Sequence, residues 1–96
     1  MNIPDQIKIG GHIVNVEMVD VLDNDLVGEA NNSRNVIRLV KHYPQSQIEV
    51  TFLHELLHMC FYHMGIGMGE DPHTERTVEG LAQVLYQVLV DNNMVK

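Results

Sequence analysis

The chain has 96 residues, 45% of them hydrophobic and 20% charged. That suffices for one domain with a modest core, spanning residues 1–96, without a second lobe, and is too apolar for a disordered segment. Thirteen acidic against six basic residues give a formal charge of -7, which leaves no basic stripe to hold phosphates and excludes nucleic acid as an expected partner. Cys60 is the only cysteine, so an internal disulfide and a Cys-rich structural zinc site are both excluded, and a reducing, intracellular compartment is expected. The N-terminus, Met1-Asn2-Ile3-Pro4-Asp5, lacks a basic segment followed by an apolar run, and nothing downstream approaches a membrane span. A complete cytoplasmic chain without a pro-segment or a membrane partner is expected.

From Gln6 to Leu22 the pattern is a hairpin. Ile7 and Ile9 alternate with polar residues, Gly10-Gly11 supplies a two-residue turn, and Ile13, Val14, Val16, Met18 and Val19 continue beyond it. Asp20 to Asp25 is acidic and turn-like, and Leu26 to Ala30 becomes extended again. Asn31 to Asn35 is a cluster of turn formers, after which Val36 to Val40 is a β-branched run, so a second hairpin is expected. Pro44 and Ser46 suit the start of a helix from about Gln45 to about Met64, stopped by Gly65, Gly67 and Gly69. Its wheel puts Leu53, Leu56, Leu57, Cys60 and Met64 on one broad face and Thr51, His54, His58 and Tyr62 on another. Few charges remain, so this helix should be central. After a Gly-rich connection, a second helix runs from Pro72 or His73 to about Asn92, with Val78, Leu81, Ala82, Leu85, Val88 and Leu89 as its apolar arc. Strands first and helices second make an α+β fold: an antiparallel sheet of about four strands, in two hairpins, followed by two long helices.

The first helix carries His54-Glu55-Leu56-Leu57-His58, an H-E-x-x-H motif. One turn apart, the two imidazoles can reach a single ion, with Glu55 beside them. Zinc accepts neutral imidazole nitrogens, and a catalytic site needs three protein ligands plus an open position for water. The metal acidifies that water, and a neighbouring carboxylate can take its proton as it attacks a carbonyl carbon, the role expected of Glu55 as general base.

A third ligand must come from elsewhere. Glu79 lies mid-helix at the margin of the apolar arc, where a carboxylate is costly unless something neutralises it. Glu75, one turn earlier on nearly the same face, competes with it, and the pattern separates the two weakly. His63 is rotated away from the His54 and His58 pair, and His73 is the other imidazole alternative. The metzincin pattern fails because Phe61 stands where its Gly should be and Met64 where its last His should be. Asp71 fits better as a helix N-terminal acid.

The H-E-x-x-H motif, followed after twenty intervening residues by Glu79-Gly80-Leu81-Ala82, resembles the gluzincins. The layout of two hairpins, an H-E-x-x-H helix and a Val78-Glu79-x-x-Ala82-x-x-x-Tyr86-Gln87 helix is similar to the very small phage or prophage metallopeptidases, the minigluzincins and the ImmA/IrrE-type peptidase domain. The resemblance covers about residues 6 to 92. It implies a zincin-like domain in a bacterial host, with one zinc per chain held by His54, His58 and Glu79 and with Glu55 as general base and acid. It also implies that an edge strand, placed at Leu26 to Asn31, holds an extended peptide by strand addition. Gln83 departs from the pattern, since many gluzincins carry an Asp there as a partner of the site, so the imidazoles must be oriented by another group, such as a backbone carbonyl.

Among the remaining candidates, Tyr86 lies two turns from Glu79 and could donate to the oxyanion of a tetrahedral intermediate, or could be core. Tyr62, His63 and His73 compete for that role. Cys60, on the apolar helix face, is expected as a small core residue, and the six methionines as core filler or loop residues. The expected function is a zinc-dependent metallopeptidase acting on a peptide or protein substrate through a metal-activated water. The alternative is a non-catalytic zinc-binding assembly or regulatory module, since a domain this small offers little substrate-binding wall.

Overall fold

The computed structural model of the chain describes residues 1–65 and 72–95, the side chains of Pro72 and His73 excepted. Four strands, β1 (Gln6–Ile9), β2 (His12–Val19), β3 (Gly28–Asn31) and β4 (Val36–Val40), precede two helices, α1 (Gln45–His63) and α2 (Pro72–Asp91). A 3-10 turn at Asp23–Asp25 lies between β2 and β3. The α+β order and both hairpins are as expected. Gly10 and Gly11 connect β1 to β2 with φ of 56° and 82°, the left-handed pair that a two-residue hairpin turn demands. In the second hairpin, Asn31 Oδ1 accepts from Ser33 Oγ at 2.9 Å and from the Arg34 backbone N–H at 3.1 Å, an Asx turn that reverses the chain.

The sheet order is β1-β2-β4-β3, and the central pair, β2 with β4, is parallel in the register Val16↔Ile37 and Met18↔Leu39. The expected wholly antiparallel sheet is therefore mixed. Composition explains the difference. β4 is the most apolar strand, with Val36, Ile37, Leu39 and Val40 all buried, so it takes the centre, while the short Gly-Glu-Ala-Asn strand β3 goes to the edge. Once β3 lies outside β4, the chain has crossed over, and β4 runs in the direction of β2. The observed edge strand begins at Gly28, two residues later than expected.

Helix α1 packs on β3 and β4 and against α2. In its first turn the Gln47 and Ile48 backbone N–H groups donate to the Pro44 carbonyl at 2.9 and 3.0 Å. It ends at Gly65, whose φ of 80° is the left-handed closure that stops a helix. The core joins Val14, Ile37 and Leu39 of the sheet to Ile48, Phe52, Leu53 and Met59 of α1 and Ala82 of α2. Full burial of a side chain such as Ile37 or Met59 contributes roughly 1.5–3 kcal/mol. The face of α1 differs from the wheel. Thr51 and His58 are buried with the core residues, Leu56, Leu57 and Cys60 are half-buried, and Met64 is 67% exposed. Because α1 has the sheet on one side and α2 on another, two separate stripes are covered, and a single-face wheel cannot represent that. On α2 the buried line is Val78 and Ala82, supported by half-buried Leu85 and Leu89, while Leu81 and Val88 stand outside it. Among the described residues, no helix is long and apolar enough to cross a membrane.

Candidate metal centre

Helix α1 presents His54 and His58 towards α2. Their spacing of four places one imidazole above the other, and the two Nε2 atoms approach to 3.2 Å. From α2, the Glu75 carboxylate faces both rings, with Oε1 2.9 Å from His54 Nε2 and Oε2 2.9 Å from His58 Nε2. His54, His58 and Glu75 thus form a group that could hold a metal ion. The donor set fits one. Ligand atoms bound to zinc at about 2.0–2.1 Å in a tetrahedral arrangement lie roughly 3.3 Å from one another, close to the separations seen here. Two imidazole lone pairs and a carboxylate converging on one point also form an arrangement that a cation satisfies better than the few protons available.

The carboxylate facing both Nε2 atoms is thus that of Glu75, the competitor in the sequence, rather than that of Glu79. Glu79 lies one turn further along α2 and meets the other side of His54, with Oε2 2.8 Å from Nδ1. Its second oxygen accepts from Gln83 Nε2 at 3.2 Å. Gln83 therefore bears on the site through Glu79, and the group placed to orient His54 is a side-chain carboxylate instead of the expected backbone carbonyl. Among the described residues, His58 Nδ1 is buried without a hydrogen-bond partner, so the polar contacts of this ring are all made through Nε2.

Electrostatics suit the two α1 residues to their expected parts. Burial, the largest influence, pulls His58 below the ordinary imidazole range and favours the neutral form that ligates metals. Glu55 is 9% exposed, and burial pushes its carboxyl up to about 7, with Glu75, Glu29 and Glu79 adding to the rise and His54 opposing it. A carboxyl poised there can both take and return a proton near neutral pH.

These residues line a cleft of about 1250 Å³ whose walls are Leu26 to Ala30 along β3, the exposed side of α1 from Ser46 to His58, and Glu75, Glu79, Gln83 and Tyr86 of α2. Among the described residues β3 pairs with β4 alone, so its other edge runs along this cleft. Gly28 lets β3 lie so close to α1, since a Cβ there would stand 2.5 Å from Thr51 Cγ2.

Tyr86 lines the cleft, but its hydroxyl donates to Glu49 Oε1 at 2.9 Å. Glu49, 5% exposed, also accepts from Gln45 at 2.9 Å and from the Met1 ammonium at 3.3 Å. An oxyanion role for Tyr86 requires that its bond to Glu49 be exchanged. The sequence offered no signal for this junction, because Glu49 looks like any polar residue in the first turns of a helix. Tyr62 is exposed and His63 stacks on His12 with centroids 5.2 Å apart, so neither joins the group. Cys60 is a half-buried free thiol. Asp71, most of the Gly-rich connection and the His73 side chain lie outside the described residues. In comparisons with protein families, curated proteins and solved structures, nothing matches this chain.

Proposed function

We propose that the chain is a small zinc-dependent metallopeptidase in which His54, His58 and Glu75 hold the ion and Glu55 is the general base. The observation that carries this reading is the meeting of Glu75 with both Nε2 atoms, beside buried Glu55, at the floor of an open cleft. When bound, zinc supplies a Lewis acid for the scissile carbonyl and acidifies water. Glu55 takes a proton on a carboxylate oxygen during attack and returns it to the leaving amine. The free edge of β3 offers backbone N–H and C=O groups to an extended peptide, which aligns the substrate along the cleft. At about 1250 Å³ the cleft is somewhat larger than the roughly 300–1,000 Å³ of a usual small-ligand pocket, which gives even this small domain a wall for a peptide and supports catalysis over the non-catalytic module.

The test combines metal analysis of the purified protein with cleavage of a peptide library. One zinc per chain, turnover in the parent and a drop of roughly 10²–10⁴ in Glu55→Gln with zinc retained are expected. Stoichiometric zinc without any cleavage would favour the binding module, and equal turnover in Glu55→Gln would refute the general-base assignment.

A further inference from the structure

The α2 helix brings two carboxylates to His54, and they meet opposite nitrogens of one ring. Glu75 is on the Nε2 side, where His58 Nε2 also lies, and Glu79 is 2.8 Å from Nδ1. A neutral imidazole that gives its Nε2 lone pair to a metal carries its one proton on Nδ1. That proton needs an acceptor, and Glu79 Oε2 stands at hydrogen-bond distance to accept it. Glu79 is itself held, because its second oxygen accepts from Gln83 Nε2 at 3.2 Å. Glu75, Glu79 and Gln83 are spaced by four residues, so one stripe of α2 supplies the ligand, the acceptor and the group that fixes the acceptor.

We infer that Glu79 is a positioning residue and not a ligand: with Gln83 it fixes the tautomer and plane of His54, and the third ligand is Glu75. The inference rests on the metallopeptidase reading for the presence of a metal, but it concerns which carboxylate does what. The two histidines are then unlike. His54 is met by a carboxylate on its Nδ1 side, whereas among the described residues His58 Nδ1 is buried without a partner. Two carboxylates one helical turn apart therefore divide the work of binding and orienting between them. A carboxylate accepting from a ligating imidazole also raises the basicity of the ligand, and loss of such a partner typically costs 10–100-fold in metal affinity.

The experiment measures zinc affinity by competition with a chromophoric chelator, together with long-range proton–nitrogen NMR spectra of the histidines in the zinc-loaded full chain. Glu79→Gln is expected to keep one zinc per chain with affinity lowered roughly 10–100-fold, and to lose the strongly deshielded His54 Nδ1 proton that wild type shows. Gln83→Ala should weaken affinity less than Glu79→Gln does. Glu75→Gln should lose far more affinity than either, while its far-ultraviolet circular dichroism stays that of the parent. Glu79→Asp, which retains the acceptor on a shorter arm, should restore part of the affinity and the deshielded proton. The inference is overturned if Glu79→Gln abolishes stoichiometric zinc while Glu75→Gln keeps it, or if Glu79→Gln changes neither the affinity nor the His54 proton. A wild-type chain that takes up no zinc would overturn the metallopeptidase reading itself, and this inference with it.

Discussion

Replacing Gly28 by Ala tests whether the cleft wall is set by contact between β3 and α1. The added Cβ would stand 2.5 Å from Thr51 Cγ2 and 3.3 Å from both the Arg38 carbonyl oxygen and Leu39 Cδ2. Carbon atoms settle at about 3.5–4.0 Å, so the shortfall at Thr51 is about 1 Å or more. Thr51 is buried and β-branched, which leaves its methyl no easy rotation, and the edge strand must move outward instead. Overpacking of this kind costs about 1–3 kcal/mol. The φ of Gly28 is not among the positive ones, so alanine fits the backbone and recovers up to about 1 kcal/mol through the unfolded state. The net loss is therefore about 0–2.6 kcal/mol, or up to roughly 10–20 °C in Tm for a domain of this size. Urea unfolding of Gly28→Ala, Thr51→Ser and the double variant measures it. Thr51→Ser removes only Cγ2, so the double variant should regain most of what Gly28→Ala loses, with a coupling of about 0.5–2 kcal/mol. Strict additivity in the double variant would refute the contact.

Three further outcomes follow from the site and its supports. Chelation of the zinc-loaded protein should lower its Tm, because a ligand at a thousand times its Kd adds about 4 kcal/mol to the folded state; an unchanged melting curve would mean that no metal was held. Tyr86→Phe takes one donor from the buried Glu49 carboxylate and should destabilise by about 1–3 kcal/mol. If its peptide turnover nonetheless matches the parent under conditions where both are folded, the hydroxyl has no oxyanion role. Although burial pushes the Glu49 carboxyl up, bonds from Gln45, Tyr86 and the N-terminal ammonium outweigh it and hold it below the ordinary value of 4.5. A depressed carboxylate stabilises the fold fully above the unfolded pKa and loses that contribution as pH falls through the folded one. The stability gap between wild type and Glu49→Gln, read from urea midpoints, should accordingly narrow on going from pH 7 to pH 3; a gap that widened would reverse the sign of the argument.

Local chemistry made much of the fold legible. Gly10-Gly11 announced its turn through the φ it permits, Gly65 announced the end of α1, and the H-E-x-x-H spacing placed two imidazoles on one side of a helix. Strand direction was not legible in the same way. Hairpins are local, but whether β2 pairs with β3 or with β4 depends on which strand gains most from the sheet centre, and Val36 to Val40 wins that place by burial. The faces of α1 were hidden for a related reason. A helix covered by a sheet and by another helix has two buried stripes, and these absorb polar residues such as Thr51 and His58 that the wheel sets apart from the apolar face.

The choice between Glu75 and Glu79 shows where sequence pattern stops. The two carboxylates are one turn apart on a single stripe, so every periodicity argument that admits one admits the other. What separates them is the position of α2 along α1, since a shift of about 6 Å, four residues at about 1.5 Å each, would bring Glu79 to the place that Glu75 holds before the histidines. That position is fixed away from the two histidines. Val78 and Ala82 are wholly buried, and Ala82, with so short a side chain, lets the helices come close together. Further on, the Tyr86 hydroxyl ties α2 to Glu49 in the second turn of α1. With α2 held at these points, the turn bearing Glu75 faces both Nε2 atoms and the turn bearing Glu79 reaches only Nδ1 of His54. Which carboxylate faces both histidines is thus a consequence of helix packing and of one buried hydrogen bond, neither of which the spacing of charged residues along α2 can reveal.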